Sequence, residues 1–380
     1  MRTVFAWANR HAAKILLLGL AGVAWHNWRQ WQRDRDLLDR RAGAEPPPDP
    51  DTWPEQPLVS VLVAAWNEAD MIEAHIRAFL ALRYPHKELI LCAGGDDGTY
   101  ALARRHAGPG VVVLEQQPGE GKQRALRRCF QQSAGQIIFL TDADCILHDE
   151  AFESTLAPLL GEGEAVATGI SWPLSGQRSD PFVLQQWFGH EYVRARQGTY
   201  ADGILGRNVA LWRHALEAAG EFRARVPTGT DYHLGKMLLD REFRIRYVPE
   251  SAVESRYAQA IPEYRKQQTR WLRNVIWYGS HFGAYREVAR ATAPSLLGFF
   301  MLGGPLFSLF SGPLILVLWA WALAHALVSR LRYARFGELL HETPFPFRGY
   351  LSLPFYLLLD LVVWTLALLQ TPVERWRARW

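Results

Sequence analysis

Four short segments rich in acids, glycine and other polar residues each follow a predicted strand, and they hold the side chains best suited to chemistry. They are residues 66–68 (WNE), 94–98 (GGDDG), 118–122 (PGEGK) and 141–144 (TDAD). In an open parallel sheet, ligands bind beyond the carboxyl ends of the strands. We therefore expect these segments to meet at one edge of a sheet and to form a polar site there.

The acidic pair Asp142 and Asp144 gives the most specific chemical signal of the four segments. Alternate residues of an extended chain point to the same side, so these two carboxylates would face one hard cation such as Mg²⁺ or Mn²⁺. Oxygen atoms of a diphosphate would complete the coordination shell. The alternative is that both residues are solvated acids at a strand end.

The two glycine-rich segments are less specific. Residues 94–98 could form an ordinary turn. Residues 118–122 lack the spacing and the following Ser or Thr of a P-loop. A functional site at this edge therefore depends on the segments acting together.

The chain around these segments alternates strand and helix patterns. Continuous apolar runs predict buried strands at residues 59–65, 88–93, 111–114 and 136–140. Helical spacing predicts helices at residues 71–82, 99–106 and 122–132. Repeated βα units of this length favour a mostly parallel sheet with right-handed crossovers. We predict an α/β fold from residue 58 to about residue 253.

Apolar residues are concentrated in three further stretches. Residues 294–328 contain one ionisable side chain, His325, and residues 350–370 contain only Asp360. The first of these stretches is long enough for two membrane spans and the second for one. Residues 12–25 are short for a span, so they predict either a membrane anchor or an interfacial helix.

Charge is distributed unevenly along the chain. The net charge is only +4, which gives no sign of a nucleic-acid partner. Arginines cluster beside the apolar stretches, from Arg29 to Arg41 and from Arg330 to Arg335. Such flanks mark the cytoplasmic side of a span. We therefore predict a multi-pass protein of the cell (inner) membrane whose domain after residue 58 is cytoplasmic. The three cysteines lack paired or metal-ligand spacing, which favours a reducing compartment.

The same residues resemble, in order, the motifs of family 2 glycosyltransferases. Residues 59–68 read VSVLVAAWNE, close to the usual opening VSVIIPAYNE of that family. The later matches are the turn at residues 97–99, Gly121-Lys122, the TDAD of residues 141–144, Gly206-Arg207-Asn208, Thr230-Asp231 and the Gln-x-x-Arg-Trp motif of residues 267–271. The resemblance covers residues 58–271, and its last motif marks the membrane-integrated members.

This resemblance implies a GT-A type fold, with a mostly parallel sheet flanked by helices. It places the catalytic domain at residues 58–255, interfacial helices with the last motif at 256–293, and a transmembrane region of about three helices at 294–380. Residues 1–40 are then an N-terminal membrane anchor or interfacial helix. Residues 41–57, which are charged and rich in proline, are a linker.

On the donor side, the resemblance implies a role for each of the predicted loops. Trp66 would lie against the nucleotide base with Glu68 beside it, and Asp97 would accept a hydrogen bond from a uracil-like imide. Lys122 would supply a charge near the base or phosphates. Asp142 would contact the ribose or sugar, and Asp144, with Asp142, would hold the metal. The longer Gly-Gly-Asp-Asp run leaves Asp96 as an alternative to Asp97.

On the acceptor side, the resemblance implies that Asp231 is the general base that takes the proton of the acceptor hydroxyl. Thr230 stands where the family usually has Glu, so Asp231 is the one carboxylate of that motif. The residues expected at the diphosphate and acceptor are Gln267, Arg270, Trp271 and Arg207. His190 and Glu191 are neighbours on a predicted helix and point about 100° apart, so we expect structural hydrogen bonding from them.

We therefore expect a metal-dependent inverting glycosyltransferase that uses a nucleotide-sugar, with a preference for uridine, and a lipid or lipid-linked acceptor. Its layout is similar to that of ceramide glucosyltransferases. The alternative is a processive synthase of a glycan such as cellulose, hyaluronan or poly-N-acetylglucosamine. About three membrane helices are few for an export channel, unless an oligomer or a partner subunit supplies more. A non-catalytic scaffold is disfavoured, because every carboxylate that the chemistry needs is present.

Overall fold

The computed structural model describes residues 10–42, 53 and 56–377. They divide into two compact units, and most of the predicted linker 41–57 lies outside the described residues. A sheet unit contains the described residues of Glu45–Gln177 and Gln197–Tyr257. A helical unit contains those of Met1–Ala44, Arg178–Arg196 and Ala258–Trp380. Residues 178–196, which the sequence places inside the catalytic domain, are thus grouped with the helical unit.

The elements of the described residues are numbered here in chain order. The strands are β1 (Val59–Trp66), β2 (Lys87–Gly94), β3 (Val111–Glu115), β4 (Ile137–Leu140), β5 (Cys145–Ile146), β6 (Val166–Pro173), β7 (Val209–Trp212) and β8 (Arg246–Ser255). The helices are α1 (Ala12–Ala42), α2 (Ile72–Ala81), α3 (Thr99–Arg104), α4 (Gly121–Gln132), α5 (Asp149–Gly161), α6 (Pro181–Arg194), α7 (Arg213–Ala218), α8 (Thr230–Asp240), α9 (Ile261–His281), α10 (Tyr285–Ser311), α11 (Pro313–His341) and α12 (Phe347–Arg377).

The sheet unit is built on one eight-stranded sheet with the order β3-β2-β1-β4-β7-β6-β8-β5. The four strands predicted from the sequence form its parallel half, since β1 pairs in parallel with β2 and β4, and β2 with β3. In the other half, β7 is antiparallel to both neighbours, while β6 and β8 are parallel. The predicted α/β class is therefore confirmed, with a mixed second half.

Both faces of the central strands are buried, which explains their continuous apolar sequences. Val61 and Val63 pack on one face of β1 in a cluster with Phe139, and Leu62 packs on the other face with Ile90. Each fully buried side chain of this size contributes about 1.5–3 kcal/mol relative to an exposed one. These two layers hold the strand ends, and the loops that follow them, in fixed positions.

The helical unit contains three helices that are long and apolar enough to cross a membrane, as predicted. The candidate spans are Tyr285–Phe310, Pro313–His341 and Phe347–Thr371. The first long apolar stretch breaks at Gly312, which has φ 84° and is followed by a proline at the start of α11. The other glycine–proline segment of this stretch, at residues 303–305, lies inside α10.

The one acidic residue of the last apolar stretch, Asp360, is buried and paired. It forms an ion pair with Arg330 and accepts a 2.5 Å hydrogen bond from the Tyr264 hydroxyl. One helical turn farther along α12, the Trp364 indole donates to the Gln268 side chain at 3.2 Å. A buried charge is tolerated only with such partners. These contacts attach α9 to α12 along matching faces.

Candidate active site

The loops after β1 and β2 are bound to each other. Asn67 has φ 58°, and its side-chain oxygen accepts the backbone N–H of Asp96 at 2.9 Å. A Cβ atom at Gly95, which has φ 121°, would overlap this Asn67 amide. Glycine is therefore required at position 95. These contacts set the positions of the residues on either side, including Glu68 and Asp97.

Asp97 organises the second loop. One carboxylate oxygen accepts from the Thr99 backbone at 3.0 Å and from its hydroxyl at 2.6 Å, and the other accepts from the Ala69 backbone at 3.0 Å. Burial raises the pKa of Asp97, but the hydrogen bonds from Thr99 and Ala69 together outweigh it and lower that pKa. The carboxylate is therefore ionised and fixed. Asp96 takes part in the loop contacts through its backbone.

Asp142 and Asp144 lie in a turn between β4 and β5. The Cys145 backbone N–H donates to the Asp142 carbonyl at 3.1 Å. Beneath the turn, the fully buried His75 of α2 contacts the Cys145 carbonyl through Nδ1 at 2.7 Å. The sequence reasoning missed His75, because a lone histidine in a helix gives no signal of a distant contact. The two acids are thus held by a turn rather than by the alternation of a strand.

Asp142 is compensated by two cations. It forms an ion pair with Lys122, and its other oxygen is 3.9 Å from Nε of the largely buried Arg207. Partial burial lowers the pKa of Lys122, but the carboxylates of Asp142 and Asp231 outweigh that and raise it. Burial likewise lowers the pKa of Arg207, and the nearby Asp144 and Asp142 raise it by more. The charged groups at this site are therefore close enough to shift one another's pKa values. They are Lys122, Asp142, Asp144, Arg207 and Asp231.

The segment before β7 holds Arg207 and Asp231 together. Asn208 is fully buried, and its amide donates to the Ile170 carbonyl at 3.0 Å and to the Ser251 hydroxyl at 2.9 Å. A Cβ atom at Gly206 would overlap the Asp231 side chain, so that side chain lies directly against the backbone of this segment. Asp231 is in the first turn of α8, which begins at Thr230.

Arg256 is a second residue that the sequence reasoning missed. Its guanidinium is 2.6 Å from the Asp70 carboxylate and 4.0 Å from Glu68, and its backbone N–H donates to the Asp144 carbonyl at 3.2 Å. Arg256 directly follows β8, so it also lies at a strand end. Ligands bind beyond the carboxyl ends of strands in an open parallel sheet, so a search of the residues that follow β8 would have identified Arg256.

Glu68 is a half-buried carboxyl beside this acidic turn. Burial, and after it the charge of Asp144, raise the pKa of Glu68 to about 7, against the opposing effect of Arg256. Among the described residues, no group of three or more His, Cys, Asp or Glu side chains is arranged to hold a metal ion. The oxygen ligands that Asp144 and its neighbours offer nevertheless suit a hard divalent cation whose remaining ligands come from a substrate or water.

Trp66, at the end of β1, is 40% exposed. A Cβ atom at Gly94 would press on its ring and overlap the Gln116 carbonyl. Glycine at this position therefore lets the indole ring lie close to the neighbouring strand. The exposed part of the ring offers a flat apolar surface at the edge of the site.

Gln267, Arg270 and Trp271 lie on α9, in the helical unit. Arg270 is exposed, and the Trp271 ring is 5.4 Å from that of His190. The neighbouring Glu191 is fully buried and pairs with Arg194 at 3.4 Å. His190 and Glu191 thus have separate partners within the helical unit.

A family model described as "Glycosyltransferase like family 2" matches residues 55–274, more than half of the chain. The protein therefore belongs to family 2 of the glycosyltransferases, and it is a glycosyltransferase.

Three curated relatives show how far this similarity extends. Glycosyltransferase AglE of Haloferax volcanii is 25% identical over 231 residues, which are 56% of this chain and 71% of AglE. An N-acetylglucosaminyltransferase of Rhizobium leguminosarum bv. phaseoli is 25% identical over 241 residues, 58% of this chain and 55% of the rhizobial protein. The poly-beta-1,6-N-acetyl-D-glucosamine synthase of Staphylococcus epidermidis is 28% identical over 98 residues, 24% of this chain and 23% of the synthase. The chain thus matches only about half the length of the rhizobial relative.

Among solved structures, the chain is similar to the mannosyltransferase PcManGT from Pyrobaculum calidifontis, solved in complex with GDP-Man and Mn²⁺. The TM-score is 0.51 at 17% identity, over 83% of this chain and 97% of that protein. Similarity at this identity concerns the fold, and the predicted GT-A type fold is confirmed.

The raised pKa of Glu68 predicts a pH dependence of stability. Its value of about 7 in the folded protein exceeds the ordinary 4.5, so folding takes up a proton between these values. The resulting stabilisation is complete below the lower value and is lost as the pH rises through about 7. In excess chelator, Glu68→Gln should therefore reduce the fall in melting temperature from about pH 5 to about pH 8. Thermal unfolding followed by tryptophan fluorescence measures this, and Glu115→Gln, at an exposed site, is the matched control. An unchanged pH profile in Glu68→Gln would contradict the assignment.

Proposed function

We propose that this glycosyltransferase moves a sugar, with inversion, from a uridine diphosphate sugar to a lipid or lipid-linked acceptor at the cytoplasmic face of the cell (inner) membrane. The observation that carries the proposal is the convergence of Lys122, Asp142, Arg207 and Asp231 beside Asp144, at the strand ends of a GT-A type sheet. This arrangement offers cations for a diphosphate and a carboxylate for the acceptor proton.

The donor nucleotide is proposed to occupy the edge formed by the loops after β1 and β2. The exposed ring of Trp66 provides a stacking surface for the base. Asp97 is ionised and fixed by three hydrogen bonds, so it can accept a further one from an imide N–H of uracil. Glu68 lies next to these residues. Lys122 and Arg207 place two positive charges near the position of the diphosphate and sugar.

Asp144, together with Asp142, is proposed to hold Mg²⁺ or Mn²⁺ at the donor diphosphate. Because Asp142 is already paired with Lys122 and Arg207, Asp144 is the stronger candidate for direct coordination. Such a cation neutralises charge that develops on the leaving diphosphate. The Mn²⁺ in the structure of PcManGT supports this proposal.

Asp231 is proposed as the general base. Its side chain lies against Gly206, next to Arg207, and its charge acts on Lys122. A hydroxyl group is a weak nucleophile near neutral pH, so a carboxylate within hydrogen-bond reach takes the proton as the new bond forms. A single displacement of this kind inverts the configuration at the sugar carbon.

A lipid or lipid-linked acceptor is proposed because three helices in the described part of the chain are apolar enough to cross a membrane. The residues proposed to contact the acceptor and diphosphate are Gln267, Arg270 and Trp271 of α9. The basic segments after residues 28 and 329 support a cytoplasmic catalytic unit. The partial similarity to a poly-N-acetylglucosamine synthase keeps processive synthesis as the second candidate.

The products distinguish these two functions. Purified enzyme incubated with UDP-sugars and a membrane lipid extract should yield lipids heavier by one hexose or N-acetylhexosamine, as measured by mass spectrometry. A ladder of long glycans would support the processive alternative. Absence of sugar transfer from any UDP-sugar, together with transfer from a GDP-sugar, would refute the uridine preference alone.

Asp144→Asn should remove nearly all transfer and weaken Mn²⁺-dependent binding of the nucleoside diphosphate by at least about tenfold, or about 1.4 kcal/mol. The amide keeps the shape of the side chain but loses the charge that attracts a hard cation. Titration calorimetry with and without Mn²⁺ measures the binding. Normal turnover in this variant, or an active wild-type enzyme in excess chelator, would contradict metal dependence.

Asp231→Asn should lower turnover by ~10²–10⁴-fold, because the amide cannot accept the proton. Donor binding should change little, since the proposed nucleotide contacts lie in other loops. Single-turnover rates and calorimetry separate this variant from Asp144→Asn. Asp240→Asn, an exposed site on the same helix, is the matched control. A well-folded Asp231→Asn enzyme with nearly normal turnover would rule out its role as base.

A further inference from the structure

Helix α1 packs against α11 in the same direction along most of its length. The Trp321 indole donates to the Leu16 carbonyl at 3.1 Å, and a Cβ atom at Gly19 would overlap the same ring. Farther along, Asn27 contacts His325 at 3.2 Å. Residue numbers thus rise together on the two helices, with an offset of about three hundred.

The register continues through the charged ends of both helices. Arg332 donates to the Asn27 side chain at 3.2 Å and pairs with the fully buried Asp34 at 3.2 Å. Near the ends, Trp31 and Leu38 of α1 belong to one apolar cluster with Phe336 of α11. The contact is therefore a side-by-side alignment of two parallel helices and not a single crossing point.

This register places similar sequences at the same level. Residues 12–25 of α1 are apolar except for Lys14 near the start of the helix, and they lie beside residues 313–328 of α11, which are apolar except for His325. The basic residues of α1 that begin at Arg29 lie beside Arg330 and Arg332. Because α11 is long and apolar enough to cross a membrane, each residue of a helix packed alongside it lies at the same depth in the bilayer as the neighbouring residue of α11.

We infer that the first half of α1 lies within the lipid bilayer beside α11 and crosses it in the same direction as α11. Its second half leaves the bilayer together with the basic end of α11. The partner of the outward face is the acyl-chain region of the lipids, since Leu17 and Leu18 are more than two-thirds exposed and continue the apolar surface of the candidate spans.

In the described part of the chain, α1 is not among the three helices that are apolar enough to cross a membrane by composition. The packing explains how it can do so. Asn27 is buried against α11 and hydrogen-bonded to it, so its polar group is satisfied within the protein. Trp25 and Trp28 are exposed where the apolar half ends, as expected at a membrane surface.

The alternative, a helix lying flat on the membrane surface, can be distinguished by measuring depth. Leu17, Trp28 and Asp39 are spaced by 11 residues, so they lie on nearly one face of α1. Each step along the helix axis is about 16 Å. A flat helix would hold the three positions at one depth, whereas a crossing helix would separate them.

Nitroxide labels at Leu17→Cys, Trp28→Cys and Asp39→Cys, in the full chain reconstituted in liposomes, test the inference. Power saturation with oxygen and with a water-soluble nickel complex reports the depth of each label. We expect Leu17 to lie in the hydrocarbon region, Trp28 to be shallower by about 16 Å, and Asp39 to be in water. The native cysteines are buried, so the unsubstituted chain serves as the labelling blank.

Leu318→Cys on α11 is the matched reference, because the register places it within about one helical turn, ~5 Å, of the level of Leu17. Equal depths for the three α1 labels would overturn the inference in favour of a surface helix. Three labels in water would overturn it as well, and so would a Leu17 label much shallower than the Leu318 label.

Discussion

Several carboxylates lie close together at the strand ends of the sheet unit, and the cations beside them stabilise this arrangement against charge repulsion. Two like charges 4 Å apart repel by about 4 kcal/mol at an effective dielectric constant of about 20. Lys122 and Arg207 offset this repulsion at Asp142, and Arg256 offsets it at Glu68 and Asp70. Burial, and after it the charge of Asp144, nevertheless raise the pKa of Glu68 to about 7. Near neutral pH this carboxyl therefore relieves part of the repulsion by holding a proton.

The sequence predicts those parts of the fold that depend on local pattern. The four parallel strands and the helices between them match their apolar runs to within one or two residues, because buried strands need apolar side chains on both faces. The strand order beyond β4 depends on long-range pairing, for which no local pattern exists. The antiparallel β7 is the clearest example, since its four residues are all apolar, as are the four residues of β4, which pairs in parallel with β1.

In the site, too, the local sequence predicts some residues, and only long-range contacts in the folded chain reveal the others. The position of polar segments after strands predicted that the loops containing Asp97, Lys122, Asp142 and Asp144 lie at one edge of the sheet. A turn, and not strand alternation, brings the last two residues together. Arg256 and His75 reach the same turn from β8 and α2, and only the folded chain shows those contacts. The roles of all these residues in catalysis stay predictions.

The composition of α1 and its packing against α11 lead to different predictions of whether α1 crosses the membrane, and the difference has a physical cause. An average of hydropathy along the sequence counts every polar residue as unfavourable, as if its side chain were exposed to lipid. Asn27 instead faces α11, where it bonds to His325 and Arg332. The same reasoning applies to Asp360, which is tolerated in α12 because Arg330 and Tyr264 pair with it. Polar residues in membrane helices are therefore better judged by the partners that the fold gives them than by their average along the sequence.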